Sequence, residues 1–158
     1  MPKVYTSLWF DDDGLDAAEY YASVIEDCEV TNVVTDPGGN PHTTPGQVLV
    51  VDFRIGEQKF QIINGGPEFV LDEAVSIVLE CATQEEADRY YAEFTREGSE
   101  APCGWCKDKF GLSWQIVPAE VNELFALEDR EAARRAVKAM LTMTRLDAAA
   151  MRRAALGE

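Results

Sequence analysis

Two copies of one short strand constrain this chain more than any other feature. Phe60-Gln61-Ile62-Ile63 and Trp114-Gln115-Ile116-Val117 each set a single glutamine in a run of large and β-branched residues, 54 positions apart. The second copy closes the stretch from Cys103 to Pro118, where a polar turn (Lys107 to Gly111) leads into a run that ends at a proline. That order predicts a turn followed by a mostly buried strand. Side chains alternate across a strand, so Trp114 and Ile116 share one face and Gln115 takes the other. A glutamine among buried neighbours needs hydrogen-bond partners, from the protein, from water or from a bound molecule.

The repeat reaches further than the strand. At an offset of 70, Thr6-Ser7-Leu8-Trp9 aligns with Ser76-Ile77-Val78-Leu79, and Ala18-Glu19-Tyr20-Tyr21-Ala22 lies over Asp88-Arg89-Tyr90-Tyr91-Ala92. In the first half the pattern predicts a strand at 3–10 and a helix at 15–25 capped by Asp13. Strands follow at 28–35, 47–55 and 59–64, with a proline- and glycine-rich loop at 36–46. In the second half it predicts a strand at 75–82 and a helix from the capping box Thr83-Gln84-Glu85-Glu86 to about Glu97, ended by Gly98. Two or three short strands follow within 101–117. Each half reads β-α-β-β-β, which suggests one duplicated module. The fold class is therefore α+β: paired modules at about 1–66 and 67–118 form a cupped mixed sheet with a cleft between them. Helices cover the outer faces. Residues 119–158 are a helical extension of the same domain, with breaks near Glu128-Asp129 and Leu146-Asp147. Its arginines make it the one basic region; it reads as a packed terminal helix pair, compatible with docking a second subunit. Strand parity nominates Thr6, Gln61, Ser76 and Gln115 as residues converging on the cleft, with Val78 and Glu80 on the same face as Ser76. One bulge would invert that parity.

Composition narrows the partners. The formal net charge is −15, from 29 acidic against 14 basic residues, which opposes binding to a phosphate backbone. No run of about 18 apolar residues could cross a membrane. The start, Met1-Pro2-Lys3-Val4, enters strand-like sequence without the apolar core of a secretory signal, so a cytoplasmic location and four reduced cysteines are expected.

Several runs resemble a known family. The repeated β-α-β-β-β plan is similar to that of the vicinal-oxygen-chelate superfamily, which includes glyoxalase I, bleomycin-resistance proteins and extradiol dioxygenases. Leu8-Trp9-Phe10-Asp11, Asn64-Gly65-Gly66-Pro67, Gln84-Glu85-Glu86-Ala87-Asp88, Cys103-Gly104-Trp105 and the stretch Lys107 to Pro118 resemble its PhnB-like branch. The resemblance covers residues 3 to 118 and continues more weakly to Met143. It implies the cupped fold and a homodimer. Superfamily enzymes carry metal ligands on the first and last strand of each module. By position these would be Thr6 (or Tyr5, if the register slips), Gln61, Ser76 and Gln115. None of these is a carboxylate or an imidazole, and Glu80 alone does not complete a site, so no metal and no cofactor is expected. The branch often carries the description of a demethylubiquinone methyltransferase. Such an enzyme would need a glycine-rich turn between strand and helix of a doubly wound sheet to hold S-adenosylmethionine, and no such turn occurs.

Other motifs carry less. Cys103-Gly104-Trp105-Cys106 is a C-x-x-C followed by turn and strand rather than by the helix a redox site needs. His42, the one histidine, sits in the proline- and glycine-rich loop. Trp9, Trp105, Trp114 and Phe60 could be core or a ligand cage, and Asn64 could be a turn residue or a ligand contact. No nucleophile is paired with a base, so no catalytic residue is nominated. The expected function is binding of a small amphipathic molecule in the cleft through Thr6, Gln61, Asn64, Ser76, Glu80, Trp105 and Gln115. The alternative is a metal-dependent lyase or dioxygenase with an altered ligand set.

Overall fold

Each half of the chain builds a four-stranded sheet with its own helix on one face. The computed structural model describes residues 1–41 and 43–158, so His42 lies outside the described residues. The chain divides into two units, Met1–Leu71 and Asp72–Glu158. The first contains β1 (Thr6–Phe10), α1 (Gly14–Val24), β2 (Cys28–Thr35), β3 (Val48–Ile55) and β4 (Gln58–Asn64), with strand order β1-β4-β3-β2. The second contains β5 (Ser76–Cys81), α2 (Gln84–Glu97), β6 (Ser99–Glu100), β7 (Trp105–Lys107) and β8 (Ser113–Pro118), with order β5-β8-β7-β6. In both sheets the first strand runs parallel to the last, and the remaining pairs are antiparallel. This is the expected β-α-β-β-β order, twice. Strand β1 starts at Thr6 rather than Lys3, and Met1 to Tyr5 are exposed.

Alternation decides which face is buried. In the first unit Leu8, Phe10, Phe53, Phe60 and Ile62 pack with Ala17, Ala18 and Tyr21 on the helix side. Phe53 and Phe60 stack at 5.0 Å, and Tyr21 meets Phe53 at 5.8 Å. In the second unit Trp114 and Ile116 take that role against Ala87, Tyr90, Tyr91 and Phe94, with Phe94 stacked on Trp114 at 4.6 Å. Small residues let α1 sit close to its sheet: a Cβ at Gly14 would lie 2.3 Å from the Ile62 side chain.

Helix starts are chemically specific. At α2 the cap forms with its return bond one residue early: Thr83 Oγ1 accepts from the Glu86 amide at 3.1 Å, and the Glu86 carboxylate accepts from the amide of Ala82, just before the cap, at 2.8 Å. At α1 the expected Asp13 cap does not form; its side chain makes no capping bond. Instead Asn64 reaches over from β4 and accepts from the Gly14 amide at 3.0 Å.

The helical extension belongs to the second unit. It forms α3 (Ala119–Phe125), α4 (Arg130–Met140) and α5 (Ala148–Leu156) around Val121, Leu124, Ala136, Leu146 and Met151. Its two breaks fall where aspartates cap the next helix: Asp129 accepts from the Glu131 and Ala132 amides, and Asp147 from that of Ala150. Arg135 donates to the carbonyls of Ala154 and Ala155, closing the end of α5. Gln84, at the start of α2, holds the extension down by donating to the Leu146 carbonyl and accepting from the Ala148 amide. No helix among the described residues is long and apolar enough to cross a membrane.

The alignment of the two halves needs one correction. The helices match at 70, as Ala17/Ala87 and Tyr21/Tyr91 share buried positions. The first strands match at 71. Thr6 pairs with Phe60 and Ser7 with Gln61, whereas Ile77 pairs with Trp114 and Val78 with Gln115. The turn into α1 holds Asp11, Asp12 and Asp13; the turn into α2 holds only Ala82 and Thr83. That extra residue shifts the strand by one place, and a shift of one moves every side chain to the opposite face.

Candidate functional site

In each unit one sheet face carries the helix and the opposite face carries the polar residues. Gln61 and Gln115 both lie on this opposite face, as alternation predicts. Thr6 does not: it shares the helix side with Phe60 and Leu8, and Ser7 takes the place beside Gln61. Tyr5, the alternative in a slipped register, precedes β1 and is exposed.

The first unit assembles a row that spans its whole sheet. Ser7, Gln61, Asp52 and Asn32 are consecutive partners across β1, β4, β3 and β2. Gln61 Nε2 donates to Asp52 Oδ1 at 3.0 Å, and Asn32 Nδ2 donates to Asp52 Oδ2 at 3.0 Å. Two residues along each strand, the next row on this face is Trp9, Ile63, Val50 and Val34, and it is apolar. On the other side, Lys59, Arg54 and Glu29 form a charged row. Arg54 is already held there by Glu29 at 2.8 Å and Asp27 at 2.7 Å. Trp9 is fixed by its indole N–H, which donates to the Gly66 carbonyl at 2.9 Å, and by edge-on contact with Phe69 at 5.0 Å. The face is thus graded from charged through polar to apolar. A hollow of about 610 Å³ opens at the end of this sheet, but Asp52 is the row's one contribution to it. The hollow's polar lining is chiefly charged, with Lys3, Arg54, Glu57 and Lys59, whereas the row's neutral amides converge on Asp52.

The second unit has a smaller patch. Gln115 Nε2 donates to Ser76 Oγ at 2.9 Å. Trp105, Gln115 and Val78 form one row on this face. Ser113 lies beside Ser76, and its buried hydroxyl has no hydrogen-bond partner among the described residues. Glu80 shares the face but is held by Asn122 Nδ2 at 2.6 Å. Lys107 is paired with Glu73 at 2.8 Å.

Asn64 is not on this face. It is 3% exposed and fully engaged, accepting from Gly14 and donating to the carbonyls of Asp12 and Val48 at 3.1 and 3.0 Å. Its work is to fasten α1 to β4. Asn64→Ala is expected to lower stability by about 2 kcal/mol in urea unfolding, without a specific effect on ligand affinity.

The C-x-x-C is built into the turn before β7. Cys103 and Gly104 have φ of 62° and 81°. Their amides donate to the carbonyls of Met143 and Thr144 in the extension, at 2.8 and 2.6 Å. Cys106 points to the buried side, beside Trp114, and is a free thiol. Burial, and secondarily the nearby Asp108, push its pKa up to about 12, the wrong direction for a redox nucleophile. Burial likewise raises Cys81 to about 12 and Cys28 to about 11. The folded state therefore holds these protons more tightly than the unfolded chain, whose thiols titrate near 9.0. Stability present below pH 9 is expected to fall as pH rises from about 9 towards 12. Urea midpoints measured across that range check this; a flat profile would contradict it.

No three His, Cys, Asp or Glu side chains among the described residues cluster so as to hold a metal ion. Asp52 is the carboxylate that the sequence reading passed over. Its place between Val51 and Phe53 gives the parity that aims it away from the helix, but its neighbours across the sheet appear only with the pairing register.

Comparison with known proteins gives a consistent picture. A family model described as 3-demethylubiquinone-9 3-methyltransferase matches residues 2–117. A PhnB protein of Bacillus cereus is similar in structure, with TM-score 0.67 and 25% identity over 75% of this chain and 100% of its own. A Pseudomonas aeruginosa protein matches with TM-score 0.62 and 15% identity over 75% of this chain and 98% of its own. No curated protein matches the chain.

Proposed function

Because the chain belongs to the family described as 3-demethylubiquinone-9 3-methyltransferase, the PhnB-like proteins of vicinal-oxygen-chelate type, we propose that it is a binding protein of that fold whose ligand is a small amphipathic molecule. One observation carries this reading. The helix-free face of the first unit sets the polar row Ser7–Gln61–Asp52–Asn32 directly beside the apolar row Trp9–Ile63–Val50–Val34. A ligand with a polar end and an apolar body satisfies both rows at once. The Ser76–Gln115 patch beside Trp105 and Val78 offers the same pairing in the second unit.

Methyl transfer is not part of the proposal. The turns into α1 and α2 read Asp11-Asp12-Asp13 and Ala82-Thr83, with no glycine-rich cradle, and neither sheet is doubly wound. Nor does binding call on a metal: Asp52 is the row's one carboxylate, and no imidazole or thiolate stands beside it in the row. A thermal-shift screen against amphipathic metabolites tests the proposal. Hits are expected, are expected to persist in EDTA, and are expected to weaken about fivefold to tenfold in Gln61→Ala. A screen without hits, or hits that vanish with chelator, would overturn it.

The proposal includes self-association. Strand β2 is an eight-residue sheet edge with Val33 and Val34 exposed at 42% and 41%, and such edges are usually covered. Sedimentation is expected to give a dimer that Val33→Lys weakens; a monomer at all concentrations would remove this part.

A further inference from the structure

We propose that the polar end recognised by the first unit is a primary ammonium rather than a carboxylate or phosphate; this rests on the binding reading above and gives it a ligand class. The argument begins at Asp52. A carboxylate only accepts hydrogen bonds, so the amides flanking it must turn their NH2 groups inward, as they do at 3.0 Å on each side. Each amide then turns its carbonyl oxygen away from Asp52. What the row offers a ligand is three acceptors, Gln61 Oε1, Asn32 Oδ1 and the remaining lone pairs of Asp52, beside the second N–H of each amide. Ser7 adds a hydroxyl that can serve either way.

Charge points the same way. Arg54 in the adjoining row is closed by Asp27 and Glu29. Together with Lys59 and Asp52, this patch holds three carboxylates to two cations. An ammonium brings three donors and a positive charge, which matches a row with three acceptors whose one charged group is the Asp52 carboxylate. A carboxylate could take the second N–H of each amide and the Ser7 hydroxyl, but would meet Asp52, whose partners in the row are neutral amides, as a like charge. The apolar row of Trp9, Ile63, Val50 and Val34 then takes the hydrocarbon part.

Calorimetric titration of the full chain with octylammonium, octanol and octanoate tests this. Octylammonium is expected to bind about tenfold more tightly than octanol, and octanoate most weakly. Asp52→Asn is expected to erase that order. Asn32→Ala, at an exposed position where folding is not at risk, is expected to weaken octylammonium alone, about threefold. Equal affinities for all three probes would overturn the ammonium assignment and leave the amphipathic reading standing. A preference unchanged in both variants would trace to the net charge of the chain and would also overturn it. Absence of binding by any probe would remove the amphipathic reading itself.

Discussion

Asp108→Ala is expected to cost about 3–5 kcal/mol of folding stability, the largest effect of any side-chain replacement considered for this chain. Asp108 sits in the turn before β8 and is 3% exposed. One oxygen accepts from the Phe110 and Leu112 amides at 2.9 and 3.1 Å. The other accepts from the Trp114 indole at 2.8 Å. Leu112 and Trp114 are themselves buried, so water does not replace the lost acceptor. Each buried donor stripped of its partner costs about 1–3 kcal/mol, and two buried donors and the partly buried Phe110 amide lose theirs together. Trp114 is also the platform on which Phe94 stacks, so loosening it disturbs the contact between α2 and its sheet. Asp72→Ala, which removes one bond in an exposed turn, is expected to cost under about 1 kcal/mol. Urea unfolding of both variants checks the contrast. A loss below about 1 kcal/mol for Asp108→Ala would contradict this account of the turn.

Gly98→Ala is expected to cost about 3 kcal/mol, or to prevent folding of the second unit. Gly98 ends α2, where the chain turns back into β6. A Cβ there would lie 1.9 Å from the Lys107 carbonyl oxygen and 2.5 Å from that of Phe94. Both obstacles are backbone, one in β7 and one in the last turn of α2, so neither can rotate aside. Gly111 supplies the control. Its φ is +86°, yet nothing lies within 4 Å of a Cβ there, so Gly111→Ala meets only the left-handed backbone penalty of about 1–2 kcal/mol. Thermal and urea unfolding of the two variants distinguish crowding from backbone conformation. Equal losses would contradict the crowding argument.

The two strongest contrasts lie in segments that looked like plain turns in the sequence, and that shows where sequence reading stops. The doubled β-α-β-β-β order was legible because its signals are local: strand alternation, the Thr83–Glu86 capping box and the glycine after Glu97. The faces of Gln61 and Gln115 were legible for the same reason. Thr6 was misplaced because its face depends on pairing with β4, and one extra aspartate in the turn before α1 shifts that pairing relative to the second half. Asp52 was visible as a strand residue, but its row is made of residues 20 and 9 positions away, at Asn32 and Gln61. Such neighbours are set by register between strands, which no single-strand pattern contains. Asp108 read as part of a polar turn, and Asn64 as a turn residue or a ligand contact. Each is buried because its side chain replaces a backbone partner that the turn lacks.

The central claim is that ligand lies against the face of the first unit where the Asp52 row meets the Trp9 row. Amide and indole chemical shifts of labelled protein, followed during titration with octylammonium, test it most directly. The account predicts saturable shifts concentrated at Ser7, Trp9, Asn32, Asp52, Gln61 and Ile63. Saturable shifts confined to α4, α5 or the turn at Cys103 and Gly104, with those six unmoved, would contradict it.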